Sequence, residues 1–568
     1  MTRDQAPERT GAEILLEALV REGVDTIFGY PGGANLPIYQ HLPEFPNLKH
    51  VLVRHEQGAA HMADGYSRAS RRVGVCFATS GPGALNLTTG LATAFMDSVP
   101  LVAITGQVPT AMVGRDAFQE SDVIGVSMPI TKHSYLVTDV KDIAKTVKEA
   151  FYVARTGRPG PVLIDLPRDL QQKMGPWVFP DTIGIPWYHP VSGPDPAAVA
   201  AAARALTRAK RPVILAGHGV LLSAGEEALL KVAEKQGIPV GTTLLGVGAF
   251  PVQHPLALHL TGFMGTGWNL NAVIECDCLM MVGMRVDDRV TAKLDGFAPN
   301  CETFIHIDID PSEHGKNVRP QISIVADARE ALEALERELP EQPYRTDWLL
   351  QIDRWREEHP LRARIANSWL QPQEVLIEMY RHAKSEAIVV ADVGQNQIWA
   401  ALWWNYDKPG LFINSGGSGT MGFAFPAAVG AKFARPEKTV FCVTGEGGFV
   451  MTMQELSTAV EHNVDVKIVI LNNASLGMVR QFQDSFYGGV RSAVDLSVMP
   501  DFVKLADAFG LPGYRARTVA ETRDVLAKAM AHKGPVLIDF VIDPEANVYP
   551  IIPLGKQLKD FIEEPLSA

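Results

Sequence analysis

The sequence predicts an α/β protein of three domains, each with a central, mostly parallel sheet flanked by helices. Three observations carry that prediction. At 568 residues the chain is too long for one hydrophobic core. Apolar, β-branched runs end in glycine-rich turns and lead into helix-patterned segments along the whole length, the order expected of parallel strands joined by crossover helices. Two stretches interrupt that alternation. Between 176 and 196 stand Pro176, Pro180, Pro186, Pro190, Pro194 and Pro196, too many for a helix or a central strand. Between 338 and 372 come Pro340 and Pro343, a charged helical piece, and Gln371-Pro372 opening a new helix. The domains are therefore expected at about 1–175, 190–340 and 370–568.

Composition excludes several function classes. With 52 basic against 64 acidic residues the formal net charge is −12, which argues against a broad nucleic-acid or anionic-membrane surface. Met1 to Thr10 is polar and lacks the basic-then-apolar order of a signal peptide, so a cytoplasmic protein is expected. The stretch 74–96 carries no charge, but Ser80-Gly81-Pro82-Gly83 divides it, and strand, loop and buried helix fit better than a membrane span. Cys76, Cys276, Cys278, Cys301 and Cys442 form no disulfide framework or zinc-ligand spacing, and read as reduced cysteines.

The strongest local signal lies in the third domain. The run Thr439 to Val443 ends in Thr444-Gly445-Glu446-Gly447-Gly448; a helix with Leu456, Ala459 and Val460 on one face is expected next, then a second apolar strand from Val466 to Leu471, ending at Asn472-Asn473. In a right-handed strand–helix–strand unit both strand ends point the same way, so Glu446 and Asn473 converge over one crevice, where open α/β sheets bind ligands. Their oxygens suit a hard divalent cation that also takes phosphate oxygens. Gly445, Gly447 and Gly448 let backbone amides approach a diphosphate. In the first domain, Val51-Leu52-Val53-Arg54-His55-Glu56-Gln57-Gly58 reads as a strand end followed by a helix opened by Glu56. A first-turn glutamate favoured by the helix dipole is the structural reading of Glu56; a carboxylate facing a cofactor clamped by the third domain is the functional one.

The Gly-acid-Gly turn with its double asparagine resembles the thiamine diphosphate–magnesium signature, and the chain as a whole resembles the large catalytic subunits of the acetolactate (acetohydroxyacid) synthase family. Further matching stretches are Phe28 to Ala34, Arg54 to Gly65, Thr79 to Gly83, Asp116 to Glu120, Gly157 to Pro161, Thr242 to Leu244, Asp287 to Arg289, Gly419-Thr420-Met421-Gly422, Gly477 to Gln481 and Asn547 to Pro550. The resemblance implies a thiamine diphosphate-binding fold, with two cofactor domains around a Rossmann-like middle domain. It implies decarboxylation of pyruvate and joining to a second 2-oxo acid, pyruvate or 2-oxobutanoate. By it, Glu56 activates the cofactor, Gln119 and the Gly33 amide line the reacting side, and Arg289 receives the acceptor carboxylate. Glu446, Asn473 and the Ser475 carbonyl correspond to the Mg2+ ligands. Met421, Gly419, Gln395, Gly447, Gly448 and Met478 surround thiamine diphosphate. FAD, structural in this family, falls to Arg158, Gly217, Gly219, Thr243, Leu244, Gly283, Arg285, Asp287, Asp308 and Asp327. A homodimer or homotetramer is implied, because first- and third-domain residues meet across subunits in the family; a regulatory small subunit is a further expected partner.

The residues of the middle domain, taken alone, leave a plain Rossmann-like spacer open: Ala216-Gly217-His218-Gly219 is only the first half of a dinucleotide fingerprint. For Arg289 a salt bridge with Asp287 or Asp288 is the alternative. Five departures from the family pattern stand out. Glu446 replaces aspartate, pushing its carboxylate outward by ~1.5 Å. Phe263-Met264 replaces Met-His, Asn396 replaces histidine, Arg115 replaces threonine, and Phe482 replaces a tryptophan of the acceptor pocket. They keep two other classes in view: a related thiamine–flavin enzyme such as a pyruvate oxidase or another carboligase, and a catalytically weakened paralogue acting as a binding subunit.

Overall fold

The computed structural model describes residues 6–191, 193–362 and 368–564. Three six-stranded sheets organise them, and every strand pair within these sheets is parallel. The central strands are apolar and buried on both faces, as a sheet covered by helices on each side requires. This is the predicted α/β architecture.

The first sheet runs, edge to edge, Lys49–Leu52, Thr26–Gly29, Gly74–Ala78, Leu101–Gln107, Pro161–Pro167, His133–Leu136. The third runs Phe412–Asn414, Ile388–Ala391, Val440–Thr444, Val466–Asn472, Val536–Val541, Gly513–Ala516. Both follow chain order 2-1-3-4-6-5, so the outer sheets share one topology although no short sequence repeat is visible. The middle sheet runs Ala257–Leu260, Val240–Thr242, Pro212–Ala216, Cys278–Val282, Thr303–Asp308, Ile322–Val325, chain order 3-2-1-4-5-6, that of dinucleotide-binding folds. Each sheet has a switch point beside its first strand, where crossovers leave in opposite directions and a crevice opens.

Two helices lock the outer domains together. Glu56–Ser70 crosses Ala424–Ala434, and glycines at the crossing let the backbones touch: a Cβ on Gly65 would stand 2.0 Å from the Ala427 carbonyl oxygen, one on Gly430 1.9 Å from that of Met62. Beside the crossing, buried Arg68 pairs with Asp64 at 2.6 Å and Asp97 at 2.8 Å, and donates to the Asn414 carbonyl at 2.9 Å. Asp97 in turn accepts from the Gly417 amide at 2.7 Å. Glu455 adds a third tie: its carboxylate accepts the Arg54 and His55 amides at 3.0 Å.

The helix expected to carry Leu456, Ala459 and Val460 is Leu456–Glu461, and more precedes it than the sequence indicated. Glu446–Val450 and Leu456–Glu461 are separate short helices with a 3-10 turn, Met453–Glu455, between them. That break turns Glu455 inward to the first domain, and the contact it makes there is what a continuous helix would lose. The proline-rich stretch begins at the end of the strand Met174–Pro176, paired antiparallel with Glu8–Thr10, and ends where Pro196 opens the helix Pro196–Arg208. Gln371 caps the helix Pro372–Ala383 through a reciprocal bond pattern with Glu374. All five cysteines are free; four are buried and Cys301 is half-buried.

Candidate active site

Strand ends build the third-domain crevice. Val440–Thr444 and Val466–Asn472 are neighbours in register, so the turns that follow them lie side by side. Glu446, 1% exposed, extends over the second turn, and its Oε1 accepts the Ser475 amide at 2.7 Å. The Asn473 Oδ1 accepts the same amide at 3.2 Å. Two oxygens thus converge on one N–H, and burial pushes the Glu446 carboxyl up to about 7. The Ser475 hydroxyl is buried with no partner. The extra methylene of Glu446 is taken up by this reach to Ser475. A hard cation displacing that N–H contact would find oxygen donors of the right class.

Around this turn glycines let neighbouring groups pack close to the backbone. The Met421 methyl lies 3.6 Å from where a Gly447 Cβ would stand, so Met421 overlies the turn. A Cβ on Gly477 would meet the Gln395 Oε1 at 2.1 Å and the Asn473 Nδ2 at 2.5 Å. Gln395 is buried: its Nε2 donates to Gln481 at 2.9 Å and to the Ala546 carbonyl at 3.0 Å, and its Oε1 accepts from Asn473 at 3.2 Å. Asn396 is 5% exposed and its Oδ1 has no partner, an orphaned acceptor at the start of the helix Gln395–Trp403. Asp392, not singled out from the sequence, closes the floor. Its buried carboxylate accepts the Val393, Gly422 and Ala424 amides at 2.7, 3.0 and 3.2 Å, tying the switch-point turn to the Met421 loop. Its position directly after an apolar strand was the available signal.

In the first domain, Glu56 opens its helix, 9% exposed, after His55 caps the end by accepting the Gln57 amide at 3.1 Å. One oxygen accepts from Asn86 Nδ2 at 2.9 Å, a partner no sequence signal indicated. The other lies 3.1 Å from a Cβ built on Gly83, which also approaches Thr79. Gln119 takes a left-handed φ of 59°, and its carbonyl oxygen lies 2.6 Å from a Cβ built on Gly81. Gly33 is exposed with open space at its Cβ, and Phe118 beside Gln119 is 89% exposed. Glu56, Gly33 and Gln119 therefore gather on the carboxyl edge of the first sheet. Among the described residues no hydrogen bond joins Glu56 to Glu446, and neither lines the large cavity between the domains.

A cavity of about 730 Å3 lies between the domains. Its wall holds Arg158, Gly219, Thr243, Leu244, Gly283, Arg285, Asp287, Asp308 and Asp327, all the flavin-contact candidates except Gly217. Gly217 lies just behind, its amide bonded to the Val282 carbonyl at 2.9 Å. Gly219 and Gly283 touch backbone to backbone, and a Cβ on Gly283 would come within 2.7 Å of the Gly219 Cα. Asp310 and Glu313 hold Arg158 at 3.1 and 2.8 Å. Asp308 is buried at the end of its strand, with its carboxyl pushed up to about 7 by desolvation. The wall continues to Val393, Gly394, Gly419 and Met478, beside the diphosphate candidates, and to Phe263, Arg289 and Phe482. Arg289 pairs with Asp288 at 3.1 Å, while Asp287 faces Arg285 at 3.4 Å.

Comparison with known proteins places this geometry. Three family models match in sequence order: the N-terminal TPP binding domain of thiamine pyrophosphate enzymes over residues 9–126, their central domain over 199–335, and their C-terminal TPP binding domain over 392–540. The fold and site thus define a thiamine pyrophosphate enzyme. A probable acetolactate synthase large subunit of Methanocaldococcus jannaschii is 46% identical, with 97% of this chain and 95% of the relative covered. The acetolactate synthase isozyme 3 large subunit of Escherichia coli is 43% identical over 95% and 96%, and that of Cyanidium caldarium 44% over 96% of each. The chain belongs to the acetolactate synthase large-subunit family.

Proposed function

We propose that this chain is a thiamine diphosphate-dependent acetolactate synthase. It decarboxylates pyruvate and ligates the remaining two-carbon unit to a second 2-oxo acid, pyruvate or 2-oxobutanoate, the first common step of branched-chain amino acid synthesis. The observation that carries this reading is the convergence of Glu446 and Asn473 on Ser475 at the carboxyl edge of one sheet, matched by Glu56 on the same edge of a sheet of identical strand order.

Thiamine diphosphate, when bound, supplies the carbon nucleophile and the electron sink. The residues present fit it: glycine at 447 and 448, where a Cβ would stand 2.8 Å from Leu476 and 2.7 Å from Asp392, keeps side-chain bulk off the turn, and Met421 overlies it. Glu446, Asn473 and the Ser475 carbonyl would hold Mg2+, and Gln395, Gly419 and Met478 would border the diphosphate. Asn86 fixes one Glu56 oxygen, leaving the other to hold a proton for the cofactor ring. Gln119 and the Gly33 amide face the reacting carbon, and Arg289 orients the acceptor by its carboxylate. The cavity between the domains would hold FAD as a structural group through Arg158, Gly219, Thr243, Leu244, Gly283, Arg285, Asp287, Asp308 and Asp327, with Gly217 just behind its wall.

In this reading the working unit is a homodimer or a tetramer of such dimers, with Glu56 of one copy facing the cation turn of the next; among the described residues no hydrogen bond joins Glu56 to Glu446. A regulatory small subunit is a further partner of this assembly. Among the described residues no helix is long and apolar enough to cross a membrane, and we place the enzyme in the cytoplasm. The three domains span about 1–175, 190–340 and 370–568.

Incubation with pyruvate, thiamine diphosphate, Mg2+ and FAD, with products identified by mass, tests the reading. Acetolactate is expected, and Glu56→Gln should cut turnover at least a hundred-fold, a general acid–base loss of about 10² or more, while cofactor binding by fluorescence titration persists. No acetolactate from the wild-type chain, or rapid anaerobic flavin bleaching by pyruvate, would overturn it.

A further inference from the structure

We propose that Phe263 is the positioning residue for Arg289, and that through it this chain sets its grip on the second 2-oxo acid; the inference rests on the reaction proposed above. Arg289 is otherwise weakly held. Its side chain is 56% exposed, and its ion-pair partner at 3.1 Å, Asp288, is 74% exposed, the kind of surface pair that restrains little. Phe263, 8% exposed, lies under it, with the guanidinium carbon 4.9 Å from the ring centroid. The same residue grips the arginine's backbone: the Phe263 amide donates to the Arg289 carbonyl at 2.7 Å. Gly262 permits this approach, since it takes a φ of +91° and a Cβ there would stand 2.2 Å from that carbonyl oxygen.

The plate is itself braced. Phe263 meets Phe482 edge to face at 6.1 Å, Phe482 meets Phe486 at 5.7 Å, and the Phe263 carbonyl accepts the Ile552 amide at 3.0 Å. Phe263, Arg289 and Phe482 all line the large cavity.

The chemistry of this seat differs from that of a carboxylate partner. A carboxylate occupies the fork of N–H donors and neutralises the charge, competing directly with a substrate carboxylate. An aromatic face attracts the cation through its quadrupole and leaves the in-plane N–H fork free. Arg289 is thereby aimed by a group that does not compete for its donors, and only the exposed Asp288 carboxylate at 3.1 Å has to give way to a substrate carboxylate. The smaller ring at Phe482 contributes the wall on which Phe263 rests, so arginine placement and pocket size are set by one aromatic stack.

The test uses the holoenzyme. Product formation by the wild-type chain is measured first; then 2-oxobutanoate is varied at saturating pyruvate for Phe263→Leu and Phe263→Tyr, each also in an Arg289→Gln background. Leu removes the ring face while keeping bulk and the backbone bonds. It should raise the 2-oxobutanoate KM about two- to five-fold, the worth of one part-exposed cation–π contact, with kcat at saturation changed less. Phe263→Tyr should restore the wild-type KM, and in the Arg289→Gln background Leu should add nothing. Equal effects of Leu and Tyr, or an undiminished Leu effect without Arg289, would overturn the proposal alone. Absence of any acetohydroxy acid from the wild-type chain would overturn it together with the reaction on which it rests.

Discussion

Glu455 carries no sequence motif, yet it fixes the turn that presents Glu56. Its carboxylate accepts the Arg54 amide at 3.0 and 3.1 Å, the His55 amide at 3.0 Å and the Thr458 hydroxyl at 2.8 Å. A Cβ on Gly58 would stand 2.5 Å from it, so it is packed against the start of the Glu56 helix. Glu455→Gln keeps the shape and the neutrality of the protonated acid but replaces an O–H that can sit on either oxygen with a fixed N–H2 facing amide donors, at a cost of about 1–3 kcal/mol. Burial pushes the Glu455 carboxyl up to about 7 from 4.5. The fold thus favours its protonated form, and that part of the stability is present below pH 4.5 and lost as pH rises through 7. The swing is on the order of 3 kcal/mol. Urea denaturation of the two proteins from pH 5 to pH 8 should show the glutamine variant less stable at pH 5 and the gap closing as pH rises. Because a displacement of about 1 Å at a reacting group costs up to ~10²-fold, kcat should fall at least about ten-fold. A constant stability gap across the pH range together with unchanged kcat would refute the reasoning.

Two other perturbations probe the frame and the clamp. Gly430→Ala places a methyl 1.9 Å from the Met62 carbonyl oxygen; the crossing helices must part, at a cost of about 1–3 kcal/mol or more, and an unchanged thermal midpoint would contradict the close approach. Glu446→Asp withdraws the carboxylate by ~1.5 Å from a Ser475 amide now 2.7 Å away. In the metal-free protein this should cost about 0.5–1.5 kcal/mol, one hydrogen bond whose amide keeps Asn473 as a second acceptor, read by denaturation in chelator; equal stability would show that the longer side chain is not fitted to the turn.

How much of this was legible in the sequence follows from the range of the forces involved. Strand ends and glycine turns are local, so the cation turn at Glu446, the helix opened by Glu56 and the dinucleotide-like turns at Gly217 and Gly283 could be read from runs of a few residues. Asp392 obeyed the same rule as Glu446, directly following an apolar strand, and was readable by analogy. Glu455 and Asn86 were not: their meaning comes from partners far along the chain or across a loop, Arg54 and Glu56, and exposed glutamates and asparagines look the same in sequence. The short helix Glu446–Val450 and the 3-10 turn Met453–Glu455 were not legible either, because segments of three to five residues are too short to show a period. The shared strand order of the outer sheets left no trace, since topology is kept by burial pattern rather than by residue identity.

The central claim is that Glu56 of one copy serves the cation turn of another. Mixing the inactive variants Glu56→Gln and Glu446→Ala, denatured together and refolded to exchange subunits, tests it directly. A site shared across the two-fold axis gives each hybrid dimer one intact centre, so random exchange should recover about a quarter of wild-type acetolactate synthesis. Hybrids that form, as tagged pull-down would show, yet recover nothing would mean that each site is built within one chain, contradicting the account.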